Sequence, residues 1–126
     1  MDESNREQFR EGILLFNRGE YYDCHDTLEE IWLQESSDEQ PFLQGVIQSA
    51  VAFHHYQQNK LGAARSMFRL AIEKLEAYPD RYQGIELGAL LKELRSWKEG
   101  LERALSARSP EAIPRLYPTI RFSNEV

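Results

Sequence analysis

The run His25-Asp26-Thr27-Leu28-Glu29-Glu30-Ile31-Trp32 holds residue types and spacings that can do chemistry. A histidine and a carboxylate four residues apart sit one turn from each other on a helix. They can share a hydrogen bond or offer two ligands to one metal ion. At about 100° per residue, His25 falls inside an apolar arc with Tyr21, Leu28 and Trp32, and Glu29 falls at its edge. Asp23, Asp26, Glu30 and Gln34 fall on the opposite, solvated side. Further along, His54 shares an apolar helix face with Leu43, Val46, Ile47, Ala50 and Phe53. His55 shares a polar face with Gln44 and Gln48.

These two stretches flank a turn near Asp38, with His25 on one side and His54 on the other. Antiparallel helices rising about 1.5 Å per residue bring them to similar heights, within about one turn. His25, Glu29 and one of His54 or His55 are therefore expected to converge, with Tyr21, Tyr22 and Tyr56 near the same end. All three histidines of the chain lie in this region.

Three readings fit. The plainest is structural: a partly buried His25–Glu29 pair and a second histidine satisfied by Gln or Tyr. A second is a metal site, with His25, Glu29 and His54 as ligands and an open position for water; zinc, manganese or iron would suit it. Glu29 would then be ligand or base. The third is metal-free acid–base chemistry or polar-ligand binding, with His25 poised by Glu29. Access discriminates among them: a site for chemistry opens into a pocket, whereas a structural pair is sealed by Phe, Trp and Leu. Cys24 diverges from His25 by about 100° and reads as a core thiol. Trp32 and Trp97 read as core residues. There is no glycine-rich phosphate loop and no serine nucleophile elbow.

The elements that must position these residues are helical. Apolar positions recur at helical spacing over roughly 4–18, 20–35, 41–57, 61–78 and 87–107, with Gly19, Pro41 and Pro79 as punctuation. Strand and hairpin signals are absent. Residues 41–59 carry no Asp, Glu, Lys or Arg and predict a helix packed on several sides. Phe16-Asn17-Arg18-Gly19-Glu20-Tyr21 is echoed 40 residues later by Tyr56-Gln57-Gln58-Asn59-Lys60-Leu61, which suggests two helical hairpins of similar design. The expected fold is an all-α single-domain bundle of about five helices spanning residues 1–126. Its core covers about 5–107. A proline-containing tail, 108–126, lies over the surface or pairs with a partner.

At 126 residues the chain has room for one domain, and its formal charge is −6. The first 40 residues hold 12 acids and 3 bases, a net of −9; residues 60–126 hold 9 acids and 12 bases, a net of +3. That balance argues against nucleic acid or an anionic membrane as partner. The partner expected is a small molecule or a protein. A homo-oligomer would show as an exposed apolar face on the last helix or the tail. One cysteine and an acidic, polar start that does not read as a signal peptide point to the cytoplasm.

The run 16–32 resembles the signature of domain-of-unknown-function family 309, in which a Gly-containing turn precedes His-Glu-x-x-Glu-x-x-Trp. A second block of that family is matched by Phe42-Leu43-Gln44-Gly45-Val46-Ile47-Gln48-Ser49-Ala50, followed by His54 and Asn59. Gly62-Ala63-Ala64 is a third match. The resemblance covers about residues 9–78. It implies a small all-helical bundle, labelled a predicted metal-dependent hydrolase, with His25, Glu29, Trp32 and His54 at the motif positions. Asp26 stands where the family has Glu. The alternative is a binding or scaffolding module in which the His/Glu cluster is structural.

Overall fold

The computed structural model describes residues 1–123. Five helices follow one another: α1 (Glu3–Asn17), α2 (Tyr21–Trp32), α3 (Gln40–Gln57), α4 (Leu61–Leu75) and α5 (Leu87–Ala107). The fold is the helical bundle expected from the spacing. Asp2 caps α1 by accepting the Asn5 N–H at 2.8 Å, and Pro41 sits in the first turn of α3. The second and fourth helices stop three residues earlier than their apolar spacing suggested, because turns follow Trp32 and Leu75.

α3 is the central element, packed on both α2 and α4, with α1 outside α2 and α5 outside α4. This explains its lack of charge: Phe42, Leu43, Phe53 and nearly everything from Gly45 to Ala52 are buried. Phe53 gathers one aromatic ring from every other helix. Phe16 of α1 lies 5.7 Å away, Tyr21 of α2 5.1 Å, Phe68 of α4 4.9 Å and Trp97 of α5 5.1 Å. Each helical hairpin also uses one glycine to let its partner helix close in. A Cβ on Gly12 would meet the Leu28 side chain at 2.6 Å, and one on Gly45 would meet Leu75 at 2.6 Å.

The 40-residue echo is a repeat of backbone geometry. At the end of α1, Gly19 N–H bonds the Phe16 carbonyl (2.9 Å) and Glu20 N–H bonds that of Leu15 (3.0 Å). At the end of α3, Asn59 N–H bonds Tyr56 (2.9 Å) and Lys60 N–H bonds His55 (2.9 Å). Both are Schellman caps, with the left-handed residue supplied by Gly19 (φ 77°) and Asn59 (φ 60°). The turns touch, since the Gln57 side-chain amide donates to the Gly19 carbonyl at 3.2 Å.

Two expectations need correction. The loop before α5 holds an antiparallel hairpin, β1 (Arg81–Tyr82) and β2 (Ile85–Glu86), where no strand was expected. Its two-residue turn, Gln83–Gly84, has both φ values positive, 49° and 76°. Strands of two residues are too short to show alternation. The tail also does more than lie over the surface. After a 3-10 turn at Pro110–Ala112 it enters the core at Ile120, which is 1% exposed, and pairs with β2 through an Ile85–Phe122 bridge.

Candidate functional site

The helical period of α2 turns His25 half inward, its side chain 25% exposed, while Asp26 (56%) and Glu29 (53%) face water. Nε2 of His25 lies 3.0 Å from Glu29 Oε2, as the four-residue spacing predicted. Nδ1 lies 3.3 Å from Asp26 Oδ1. Both ring nitrogens therefore have a carboxylate oxygen at close range. Ligand-capable atoms of His25, Asp26 and Glu29 lie within 4.8 Å of one another, and the group is open to solvent rather than sealed.

Asp26 is the member that the helical wheel assigned to the solvated side. It is exposed, but a short carboxylate next in sequence to a half-turned imidazole can still swing to its Nδ1. Adjacency in sequence was the signal available, and angular position alone hides it.

His54 occupies the last turn of α3 and is not part of the 4.8 Å group. It faces the same small cleft as His25, about 170 Å³, walled by Tyr21, Tyr22 and Val51. The Tyr22 ring touches both imidazoles, with centroids 5.7 Å from His25 and 5.6 Å from His54. The two helices thus bring the histidines to one cleft, with Tyr22 in contact with each. His55 is the neighbour of His54, ring centroids 6.4 Å apart. Burial, then the Lys60 charge and His54, push its pKa below the usual imidazole value. Tyr56 instead packs on Trp97 at 4.9 Å.

Of the other candidates, Cys24 and Trp97 are core residues as expected, whereas Trp32 is only partly buried. Cys24 is fully buried, and burial pushes its thiol up to about 12. Trp97 is a core ring. Trp32 is half-buried and, with Leu33, edges a shallow depression of about 360 Å³ beside Asp26, Glu29 and Glu30.

The donor set suits a divalent ion of borderline softness: one imidazole and exposed carboxylates. The two nitrogens of an imidazole point in opposite directions, so an ion takes one of them. The carboxylate at the other nitrogen then fixes the ring's tautomer and orientation from outside the coordination sphere. Nε2 lies closer to Glu29 than Nδ1 does to Asp26, 3.0 Å against 3.3 Å.

Residues 9–67 match the family described as Domain of unknown function (DUF309). This stretch contains His25, Asp26, Glu29 and His54. An uncharacterized protein of Aquifex aeolicus is 29% identical over 97 residues, covering 74% of this chain and 29% of that protein. The uncharacterized protein YpuF of Bacillus subtilis is 33% identical over 93 residues, covering 71% of this chain and 53% of YpuF. The chain spans well under two thirds of the length of either relative.

Proposed function

We propose, for a chain whose residues 9–67 are of the DUF309 family, that His25 and Glu29 bind a divalent metal and serve metal-dependent hydrolysis. The observation that carries this reading is one half-exposed imidazole with carboxylates 3.0 and 3.3 Å from its two nitrogens. His25 offers the Nε2 lone pair. Glu29 shares the ion or takes a proton from water at the exposed rim. Asp26 holds the proton on Nδ1 and so keeps Nε2 free to ligate. A zinc, manganese or iron ion, when bound, supplies Lewis acidity and lowers the pKa of a ligated water. Tyr22, Val51 and His54 give the adjoining cleft walls that suit a small apolar group of a substrate.

The test is elemental analysis of protein purified without added metal or a histidine tag, compared with His25→Ala. Near-stoichiometric metal that disappears in the variant supports the reading and justifies a screen of ester and phosphoester substrates. Metal-free protein that also shows no zinc or manganese binding by titration calorimetry defeats it.

A second reading has its own support. The cleft is small, about 170 Å³, and both ring nitrogens of His25 already face a carboxylate. A helical module that presents a surface to a small molecule or protein, with His25 pinned by its two carboxylates, fits those facts. His25→Ala would then lower stability and leave metal content unchanged.

A further inference from the structure

The segment after α5 is held through both its backbone and its side chains. The Asn17 side chain donates to the Ile120 carbonyl at 2.9 Å and accepts the Ile120 N–H at 2.6 Å. Glu86 N–H donates to the Arg121 carbonyl at 2.8 Å, and Ser123 N–H donates to the Gly84 carbonyl at 2.8 Å. Phe122 thus forms an isolated antiparallel bridge to Ile85 beside the two-stranded hairpin. Main-chain bonding of this kind accepts any extended segment, and selectivity comes from alternate side chains. Here Tyr117 stacks on Trp97 (5.6 Å, planes 8° apart), Pro118 and Ile120 are buried, and Phe122 lies under the Arg10 guanidinium at 4.2 Å.

The same segment shows signs of being separable. It is joined to α5 through Arg108, a non-glycine residue at φ 51°. Leu116 is 82% exposed and Tyr117 43% exposed. Tyr117 is in ring contact with Tyr21, Phe53, Tyr56 and Trp97, but hydrogen bonding beneath it is not complete. The Tyr21 hydroxyl and the Trp97 indole N–H are buried without a hydrogen-bond partner among the described residues, and both side chains are in ring contact with Tyr117. An occupant with an acceptor beside that ring would satisfy donors that the present one leaves unmet.

We propose that residues 113–123 are a displaceable strap lying in a groove for an extended peptide. The partner is a protein segment with an aromatic-Pro-x-aliphatic-x-aromatic pattern, bound as an added β-strand, and the chain's own segment holds the groove closed until it is displaced. A tethered occupant competes at an effective concentration of order millimolar, so the closed form dominates in the isolated protein.

The test titrates a fluorescein-labelled peptide of residues 113–123 into the full chain, as wild type, Tyr117→Ala and Gly100→Ala. Tyr117→Ala removes the strap's anchor. Gly100→Ala lifts the strap differently: a Cβ there would stand 2.5 Å from the Ala112 carbonyl, while alanine favours the α5 helix. Both variants are expected to bind the peptide at least about tenfold tighter than wild type. A peptide carrying Ile120→Asp is expected not to bind. Four results overturn the proposal. They are no uptake by either natively helical variant, equal uptake by all three proteins, loss of helical circular dichroism in both variants, and a concentration-dependent dimer of the wild-type chain, which would give the groove to a second copy.

Discussion

Asn17 and Ile120 are paired like neighbours in a β-ladder, although one ends a helix and the other follows 103 residues later: the amide of one side chain meets both backbone polar groups of the other residue. A buried backbone N–H and C=O are thereby satisfied at the edge of the bundle. Asn17→Ala leaves both without that partner, and the expected loss is about 1–3 kcal/mol. Urea unfolding followed by circular dichroism reads it directly. Asn17→Asp keeps the acceptor and sets a carboxylate oxygen against the Ile120 carbonyl, so it should be destabilised too. Unchanged stability in both variants would show that water replaces these bonds at no cost.

The matched caps at Gly19 and Asn59 predict an asymmetry. Gly19→Ala puts a Cβ into a left-handed conformation and should cost about 1–2 kcal/mol. Asn59→Gly should be neutral to slightly stabilising, because asparagine already tolerates that conformation with some strain. Thermal melts of the two variants side by side decide it. The idea fails if Asn59→Gly is the more damaging.

Within the metal reading, the ligand hierarchy is testable by competition with a chromophoric zinc chelator. With Glu29 as a ligand, Glu29→Gln should abolish binding, whereas with Glu29 as a base it should leave binding intact and remove activity. Asp26→Asn should weaken binding about 10–100-fold, the usual effect of losing an outer partner. His54→Ala should leave it unchanged, because His54 lies outside the compact His25–Asp26–Glu29 group. A large loss in His54→Ala would restore the ligand set of His25, Glu29 and His54 expected from the motif.

His55 makes stability depend on pH in a definite direction. Its pKa is lowered in the folded protein by burial, Lys60 and His54, so near neutrality the unfolded chain binds the proton more readily. Stability therefore falls as pH drops through the ordinary imidazole value of about 6.5 and levels off below the folded value. Denaturation midpoints at about pH 7.5 and about pH 5.5 should differ less in His55→Gln than in wild type. An identical pH slope in both proteins would assign the dependence to other groups.

Much of this fold was legible because its signals are local and periodic. The bounds of α5 were readable from leucines at helical spacing, and the buried role of α3 from its missing charges. The hairpin at 81–86 was not, since two-residue strands carry no period and Gln-Gly is a weaker turn signal than Asn-Gly. The path of the tail rests on contacts such as Asn17–Ile120, which nothing local encodes. At the candidate site, the His25–Glu29 pair follows from helix geometry alone. The roles of Asp26 and Tyr22 depend on rotamers and on how α2 and α3 face each other, which a helical wheel does not contain.

Cys24 gives the bundle an internal clock. The sole thiol of the chain sits at 0% exposure beside Phe16 and Tyr21 of the first hairpin, and burial holds it protonated far above neutral pH. A thiol reagent in water can reach it only during an opening of those helices. The rate at which Cys24 is alkylated at neutral pH thus measures how often the bundle opens around the first helical hairpin, at one defined atom and without a label to install.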